Sequence, residues 1–199
     1  MSKYSFLLII ITFTLCSCEE YFETLSDDEI YSVSLLKNIQ SDKKIDYLRI
    51  DLMHGGSPFK KHEDGSYKRS LEIPLPKDEN RGSVFPGCQP SYCGYRIAYI
   101  ERDQWNFVTN KEELELFIGE IDNEHEAFLI AKINGYEIDT ALEGNGFKKA
   151  DFGYKLKVMK YETCPESKEG FIVHIYNDGT FKQIKSLGHY YKSTNCIVY

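Results

Sequence analysis

Alternating apolar and polar side chains predict antiparallel strands in the last third of the chain. Every second residue is apolar from Tyr154 to Val158, and the same alternation marks Phe171 to Ile175. This period of two is typical of a strand with one buried face. Asn177-Asp178-Gly179-Thr180 then provides hairpin-turn residues, since glycine accepts a positive φ. We therefore expect a C-terminal β-meander whose return strand includes Phe181 and Ile184.

Two short helices are predicted between about residues 110 and 134. Thr109-x-x-Glu112 matches a capping box, and apolar residues follow at helical spacing as far as Ile121. Asn123-x-x-Glu126 matches a second capping box, and Gly135 is placed to end the second helix.

The first half of the chain gives weaker patterns. Residues 45–53 alternate as a half-buried strand, whereas 30–39 fit either a short helix or a strand. Residues 54–92 are rich in glycine, proline and charge, and a short strand around Tyr67 to Ile73 could pair with 45–53. The predicted fold class is α+β. We expect one domain with an antiparallel sheet, the helix pair on one face of that sheet, and the C-terminal meander.

The N-terminus has the layout of a secretory signal peptide. Lys3 precedes the continuously apolar residues 6–11, a block too short to span a bilayer as a helix. Leu15-Cys16-Ser17-Cys18 follows and resembles a bacterial lipobox. The resemblance implies cleavage before Cys18 and lipid on its thiol and its new amino group. Cleavage elsewhere, as in plain secretion, and an uncleaved N-terminal helix are the alternatives.

These features divide the chain into a signal peptide (1–17), an acidic tether (18–29) and a globular α+β domain (30–199). Glu19-Glu20 resembles tags that some Gram-negative lipoproteins carry for outer-membrane or surface delivery. The expected location is the cell envelope, with the protein held on the membrane by lipidated Cys18, on the periplasmic or surface face.

Charge narrows the possible partners. The formal net charge is −7, and it becomes −8 once residues 1–17, which contain one lysine and no acidic residue, are removed. An acidic chain without a basic block argues against nucleic-acid binding, which depends on Lys and Arg at phosphates. The same balance argues against electrostatic docking on anionic lipid, so we expect covalent lipid to provide the membrane attachment.

Four cysteines remain after Cys16 and Cys18 are assigned to the signal peptide and the lipid. An even number in an oxidising compartment indicates two disulfides, although four cysteines allow three pairings. We favour the pairing of neighbours, Cys88 with Cys93 and Cys164 with Cys196. A zinc site using Cys88, Cys93 and histidines is the alternative, but the chain has no second cysteine pair at similar spacing.

No hydrolase, metalloprotease, phosphate-loop or dinucleotide motif occurs, so no catalytic residue, metal or cofactor is predicted. A short disulfide beside two prolines would hold Tyr92 nearly rigid, and Tyr190 and Tyr191 could extend such a contact surface. Our leading hypothesis is a non-enzymatic envelope module that binds a protein or a glycan. The alternatives are an immunity protein or inhibitor of a toxin or hydrolase, and an enzyme acting on envelope polymers.

Overall fold

The computed structural model describes residues 20–41, 43–54, 57–63, 82–85 and 93–197, with backbone alone for 57–63 and Cys93. The predicted signal peptide, Cys18, Cys88, Tyr92 and the expected strand around Tyr67 to Ile73 lie outside the described residues. Three helices and eight strands occur in the described part of the chain: α1 (Ser32–Lys37), β1 (Tyr47–His54), β2 (Ser57–Glu63), β3 (Cys93–Glu101), β4 (Gln104–Val108), α2 (Lys111–Ile118), α3 (Glu124–Ile133), β5 (Gly146–Ala150), β6 (Gly153–Thr163), β7 (Glu166–Tyr176) and β8 (Phe181–Lys192).

The fold class is α+β with a C-terminal β-meander, which confirms the prediction. The strands form two four-stranded antiparallel sheets, not the single sheet expected: β2-β1-β3-β4 and β5-β6-β7-β8. The ambiguous segment 30–39 contains helix α1, and β1 pairs with β2 and β3.

The second sheet is a meander of successive hairpins. Its inner face buries Tyr154, Leu156 and Val158 of β6, which are the residues that the alternating pattern selected. The predicted turn between β7 and β8 is present, with Gly179 at φ 80° and the Tyr176 N–H donating to the Thr180 carbonyl at 2.9 Å. Alternation and turn residues together therefore determine this part of the fold.

Helix α3 lies at the centre of the molecule. It contacts α1, α2, β6 and β7, and every residue from His125 to Ala131 is buried. Its apolar side chains join those of both sheets in one core, together with Leu35 and Leu36 of α1.

Glu126 connects the start of α3 to the segment after α1. Its side chain is fully buried, and its two carboxylate oxygens accept the backbone N–H groups of Gln40 at 2.6 Å, Asp122 at 2.7 Å and Asn123 at 3.3 Å. Asn123 completes the predicted capping box by accepting the Glu126 N–H at 3.0 Å. The bond to Gln40 also fixes the chain that leaves α1, so one carboxylate joins two parts of the fold.

The capping box predicted for α2 is shifted by one residue. Asn110, not Thr109, is the N-cap, and its side chain accepts the Glu113 N–H at 2.8 Å. The Glu113 carboxylate in turn accepts the backbone N–H of Thr109 at 2.7 Å and its hydroxyl at 2.9 Å. Threonine and asparagine both cap helices, and here the asparagine adopts the extended backbone of the cap position.

Replacing Glu126 tests the hydrogen bonds that its carboxylate accepts at the start of α3. Glu126→Ala removes the acceptor for three backbone N–H groups, two of them directly before α3, and we expect it to lower the free energy of unfolding by about 2–4 kcal/mol. Glu126→Gln keeps one oxygen and should cost less. Urea unfolding followed by far-UV circular dichroism measures both. Glu112→Ala, an exposed glutamate in the first turn of α2, serves as the control and should change stability by less than about 0.5 kcal/mol.

The same residue predicts a pH dependence. Burial raises the pKa of the Glu126 carboxyl above its ordinary value, although the three backbone N–H groups oppose the rise. Because the folded-state pKa lies above the unfolded-state pKa, stability from this group is fully present below the ordinary carboxyl pKa and is lost as pH rises through the folded value. Glu126→Gln should remove that loss, and an unchanged pH profile of unfolding would contradict the assignment.

Candidate binding surfaces

The first sheet buries a charged cluster, although the alternation at 45–53 predicted a strand with only one buried face. Arg49 and Asp51 occupy the polar positions of β1, yet they and Arg96 of β3 are at most 1% exposed. The Asp51 carboxylate accepts Arg49 Nε at 2.6 Å and Arg96 Nη2 at 2.6 Å. Trp105 and Phe107 of β4 lie beside the two guanidinium groups, at 5.3 and 4.6 Å from ring centre to Cζ.

The cluster is explained by register. Residues 49 and 51 share one face of β1, and Asp51 lies directly opposite Arg96 in the pairing of β1 with β3. A bidentate carboxylate–guanidinium pair compensates much of the cost of burying these charges. The cluster links β1 to β3 through the bond between Arg96 and Asp51. Because its side chains are buried, it offers no open binding surface.

A disulfide fastens the far end of the second sheet. The structure brings Cys164 and Cys196 together as the sequence predicted, with Cα atoms 4.2 Å apart. The tail after β8 also pairs with the β6–β7 turn, since the Glu166 N–H donates to the Asn195 carbonyl and the Ile197 N–H to the Thr163 carbonyl, both at 2.9 Å. We call this region the stapled end. Cys93 begins β3 opposite His54, and its expected partner Cys88 lies outside the described residues.

Tyr190 and Tyr191, predicted as binding residues, both lie at the stapled end. The Tyr190 hydroxyl donates to Asp139 at 2.8 Å, and Lys168 Nζ donates to the same carboxylate at 2.8 Å. The Tyr191 hydroxyl donates to Glu166 at 2.9 Å. Both hydroxyls therefore have partners within the chain, and Tyr191, at 42% exposure, offers the more open ring.

Ionisation at this end follows from those contacts. Burial and the neighbouring Asp139 carboxylate raise the pKa of Tyr190 above its ordinary value. Burial disfavours the Asp139 carboxylate, but the bonds from Lys168 and Tyr190 hold its pKa below the ordinary value. The Asp139 carboxylate thus lies between the neutral Tyr190 phenol and the Lys168 ammonium group, and these bonds fix the three side chains in place.

The outer face of the second sheet carries most of its lysines. One row across the four strands consists of Lys148, Lys155, His174 and Lys182, and the next row contains Lys157 and Lys185. We call these six residues the basic face. In an antiparallel sheet, directly opposed residues point to the same side. Register thus gathers lysines that are up to 37 positions apart in the chain.

The N-terminal residues lie against the basic face. The Glu20 carboxylate pairs with Lys148 at 3.2 Å and also with Lys155, and these bonds lower the pKa of Glu20. The Phe22 ring centre lies 4.8 Å from Lys157 Nζ. Glu23 forms a two-way backbone bridge with Phe147 of β5 at 2.8 and 2.9 Å.

Leu25 extends this docking into the core. Leu25 is 5% exposed, and the buried Asn145 side chain bonds both its N–H at 3.0 Å and its carbonyl at 2.9 Å. Residues 20–25, expected to belong to an acidic tether, are therefore in contact with the second sheet and the loop before it.

Charge is separated between the two sides of the second sheet. Residues 146–192 contain nine lysines and five acidic residues, whereas 101–145 contain twelve acidic and three basic residues. Helix α3 packs on the inner face, so the acidic helical segment and the basic face lie on opposite sides. Burial, Lys155 and Lys182 lower the pKa of His174, which keeps this residue of the basic face mostly neutral near pH 7.

The described residues contain no group of three or more His, Cys, Asp or Glu side chains arranged to hold a metal ion. Within the same ranges, no helix has the length and apolar character needed to cross a bilayer. A cleft beside the N-terminal residues is lined by Tyr21, Phe22, Leu142 and Lys157 among others. Tyr21 and Leu142 are 78% and 66% exposed.

No protein-family model, curated protein or solved structure matches this chain.

The disulfide at the stapled end gives a stability prediction. The bridge closes a loop of 32 residues, and loop-closure entropy predicts that its removal costs about 3–4 kcal/mol in the free energy of unfolding. Guanidinium unfolding of the wild type and of the Cys164→Ser/Cys196→Ser variant measures the difference. Added reductant should bring the wild type to the stability of the double variant. If the two differ as much with reductant as without it, the substitutions themselves cause the loss.

Proposed function

We propose that this protein is a lipid-anchored lipoprotein of the bacterial cell envelope that acts as a non-enzymatic binding module. The observation that carries the proposal is the lipobox-like sequence Leu15-Cys16-Ser17-Cys18 after a short apolar block. The Cys164–Cys196 disulfide supports it, because disulfides persist in the oxidising compartments that exported proteins reach. The partner is a protein or a glycan, and no nucleic acid is expected.

The stapled end is the first candidate for the partner surface. Its disulfide and tail pairing remove conformational freedom from the strand that presents Tyr191. A preordered aromatic side chain loses little entropy when it binds a partner. Tyr92 is carried over from the sequence as a further binding candidate.

A second function, inhibition of a toxin or hydrolase, is favoured by one observation. Helix α2 exposes Glu112 and Glu115 beside Leu116, which is 76% exposed, and the exposed Glu120 follows the C-cap residue Gly119. An acidic surface with an apolar centre could bind a basic enzyme. Complementary charge accelerates association, and the apolar side chain adds buried surface area at the contact. We call Glu112, Glu115, Leu116 and Glu120 the acidic helix surface.

Acylation of Cys18 is the direct test of anchoring. Cells fed an alkyne-bearing fatty acid should label the wild-type chain, and the label should lie on the N-terminal peptide of the mature protein in mass spectrometry. Cys18→Ala should abolish labelling and release the chain from the detergent phase in Triton X-114 partitioning. Cys16→Ala is the matched control, because that residue leaves with the signal peptide. Labelled Cys18→Ala protein, or an unlabelled wild type, would contradict the proposal.

Partner recovery distinguishes the two binding surfaces. Lipidated wild type and two variants are each cross-linked in native membranes in separate samples. The variants are Tyr191→Ala and the triple variant Glu112→Gln/Glu115→Gln/Leu116→Ser, and Lys37→Gln is the control. A partner lost with Tyr191→Ala supports the stapled end. A partner lost with the triple variant, and released as salt rises from about 0.1 to 1 M, supports the inhibitor function because salt screens exposed charges. Equal recovery with every variant would argue against both surfaces.

A further inference from the structure

We propose that the basic face docks on an anionic phospholipid membrane, so that the protein lies against the bilayer with the second sheet toward the lipid. This inference rests on the proposed anchoring through Cys18 and adds to it a surface and an orientation. The occupant is the phospholipid headgroup layer of the membrane that carries the anchor.

The position of the anchor is the first argument. Cys18 is two residues from Glu20 in the sequence, and two residues of chain can reach at most about 7 Å. Glu20 is held on Lys148 and Lys155, and Phe22 lies over Lys157. Each headgroup layer of a bilayer is roughly 5–8 Å thick. An acylated Cys18 therefore places these lysines at the headgroups.

Charge complementarity is the second argument. The basic face contributes five lysines, of which Lys148, Lys182 and Lys185 belong to exposed residues, and Glu20 offsets part of that charge. Lysines near an anionic leaflet are attracted to it. The net charge of −7 predicted no such attraction, but salt screens charges more than about 10 Å away at 0.1 M ionic strength. The membrane would therefore respond to the local lysines and not to the acidic helices across the sheet.

Exposed apolar side chains beside the anchor are the third argument. Tyr21 and Leu142, at 78% and 66% exposure, line the cleft that the N-terminal residues form with Lys157. Tyrosine is favoured at the membrane–water interface, where its ring is apolar and its hydroxyl remains hydrated. Two large exposed side chains next to the lipid attachment point fit a surface that meets a bilayer.

Lysine footprinting on the native protein tests the orientation. The lipidated protein is purified from membranes and reconstituted in vesicles of phosphatidylcholine alone or with about one quarter phosphatidylglycerol. Lysines are acetylated briefly and quantified by mass spectrometry. We expect labelling of Lys182 and Lys185 to fall about fivefold in the anionic vesicles, with no change at the exposed Lys37 and Lys44. Because salt screens the attraction, about 1 M salt should restore labelling.

A variant separates charge attraction from proximity. Lys182→Gln/Lys185→Gln should reduce the protection of Lys148 in anionic vesicles, whereas Lys37→Gln/Lys44→Gln, with the same change in net charge, should leave it unchanged. Acylated protein whose lysines react equally in both vesicle types would overturn the inference while leaving the anchor intact. Protection that requires added envelope polysaccharide instead of anionic lipid would also overturn it.

The state of Cys18 in the same samples distinguishes the two proposals. If the N-terminal peptide carries no acyl group, the anchoring proposal is wrong. Binding of the basic face to lipid is then measured by co-flotation of the unacylated chain with vesicles. Flotation with anionic vesicles alone, reversed by salt, would support the surface independently. The absence of flotation with either vesicle type would overturn it as well.

Discussion

The fold depends on enclosing helix α3, because the buried Glu126 carboxylate in its first turn must find hydrogen-bond donors within the protein. Glu126 meets this constraint by accepting three backbone N–H groups, from Gln40, Asp122 and Asn123. One of these bonds reaches back to the segment after α1, so satisfying the helix also positions α1. The apolar side chains of the two sheets and the three helices pack in one shared core that includes those of α3.

The two sheets use charge in opposite ways. The first encloses Arg49, Asp51 and Arg96, where a shared carboxylate and two aromatic rings compensate the burial of the guanidinium groups. The second has five lysines on its outer face, where residues 20–23 of the described chain lie against them. The proposed membrane contact lies on that outer face, and helix α3 packs on the opposite face of the same sheet.

Local patterns predicted those elements whose residues interact with close neighbours in the chain. The Asn123–Glu126 capping box and the Asn177–Thr180 turn involve contacts within four residues, and both are present. The α2 cap was displaced from Thr109 to Asn110 because adjacent polar residues compete for one cap position. Residues 20–25 were expected to form a tether, but the contacts of Leu25 with Asn145, 120 positions away, hold them on the domain.

By itself, the sequence determined the α+β class, the meander, the central capping box and the favoured partner of Cys164, and it suggested the lipobox. The tertiary structure decided that Arg49 and Asp51 are buried, that the strands form two sheets, and that distant lysines share one face. The physical reason is range. Alternation, caps and turns depend on neighbouring residues, whereas the environment of a strand's polar face depends on strand register and on what packs against it.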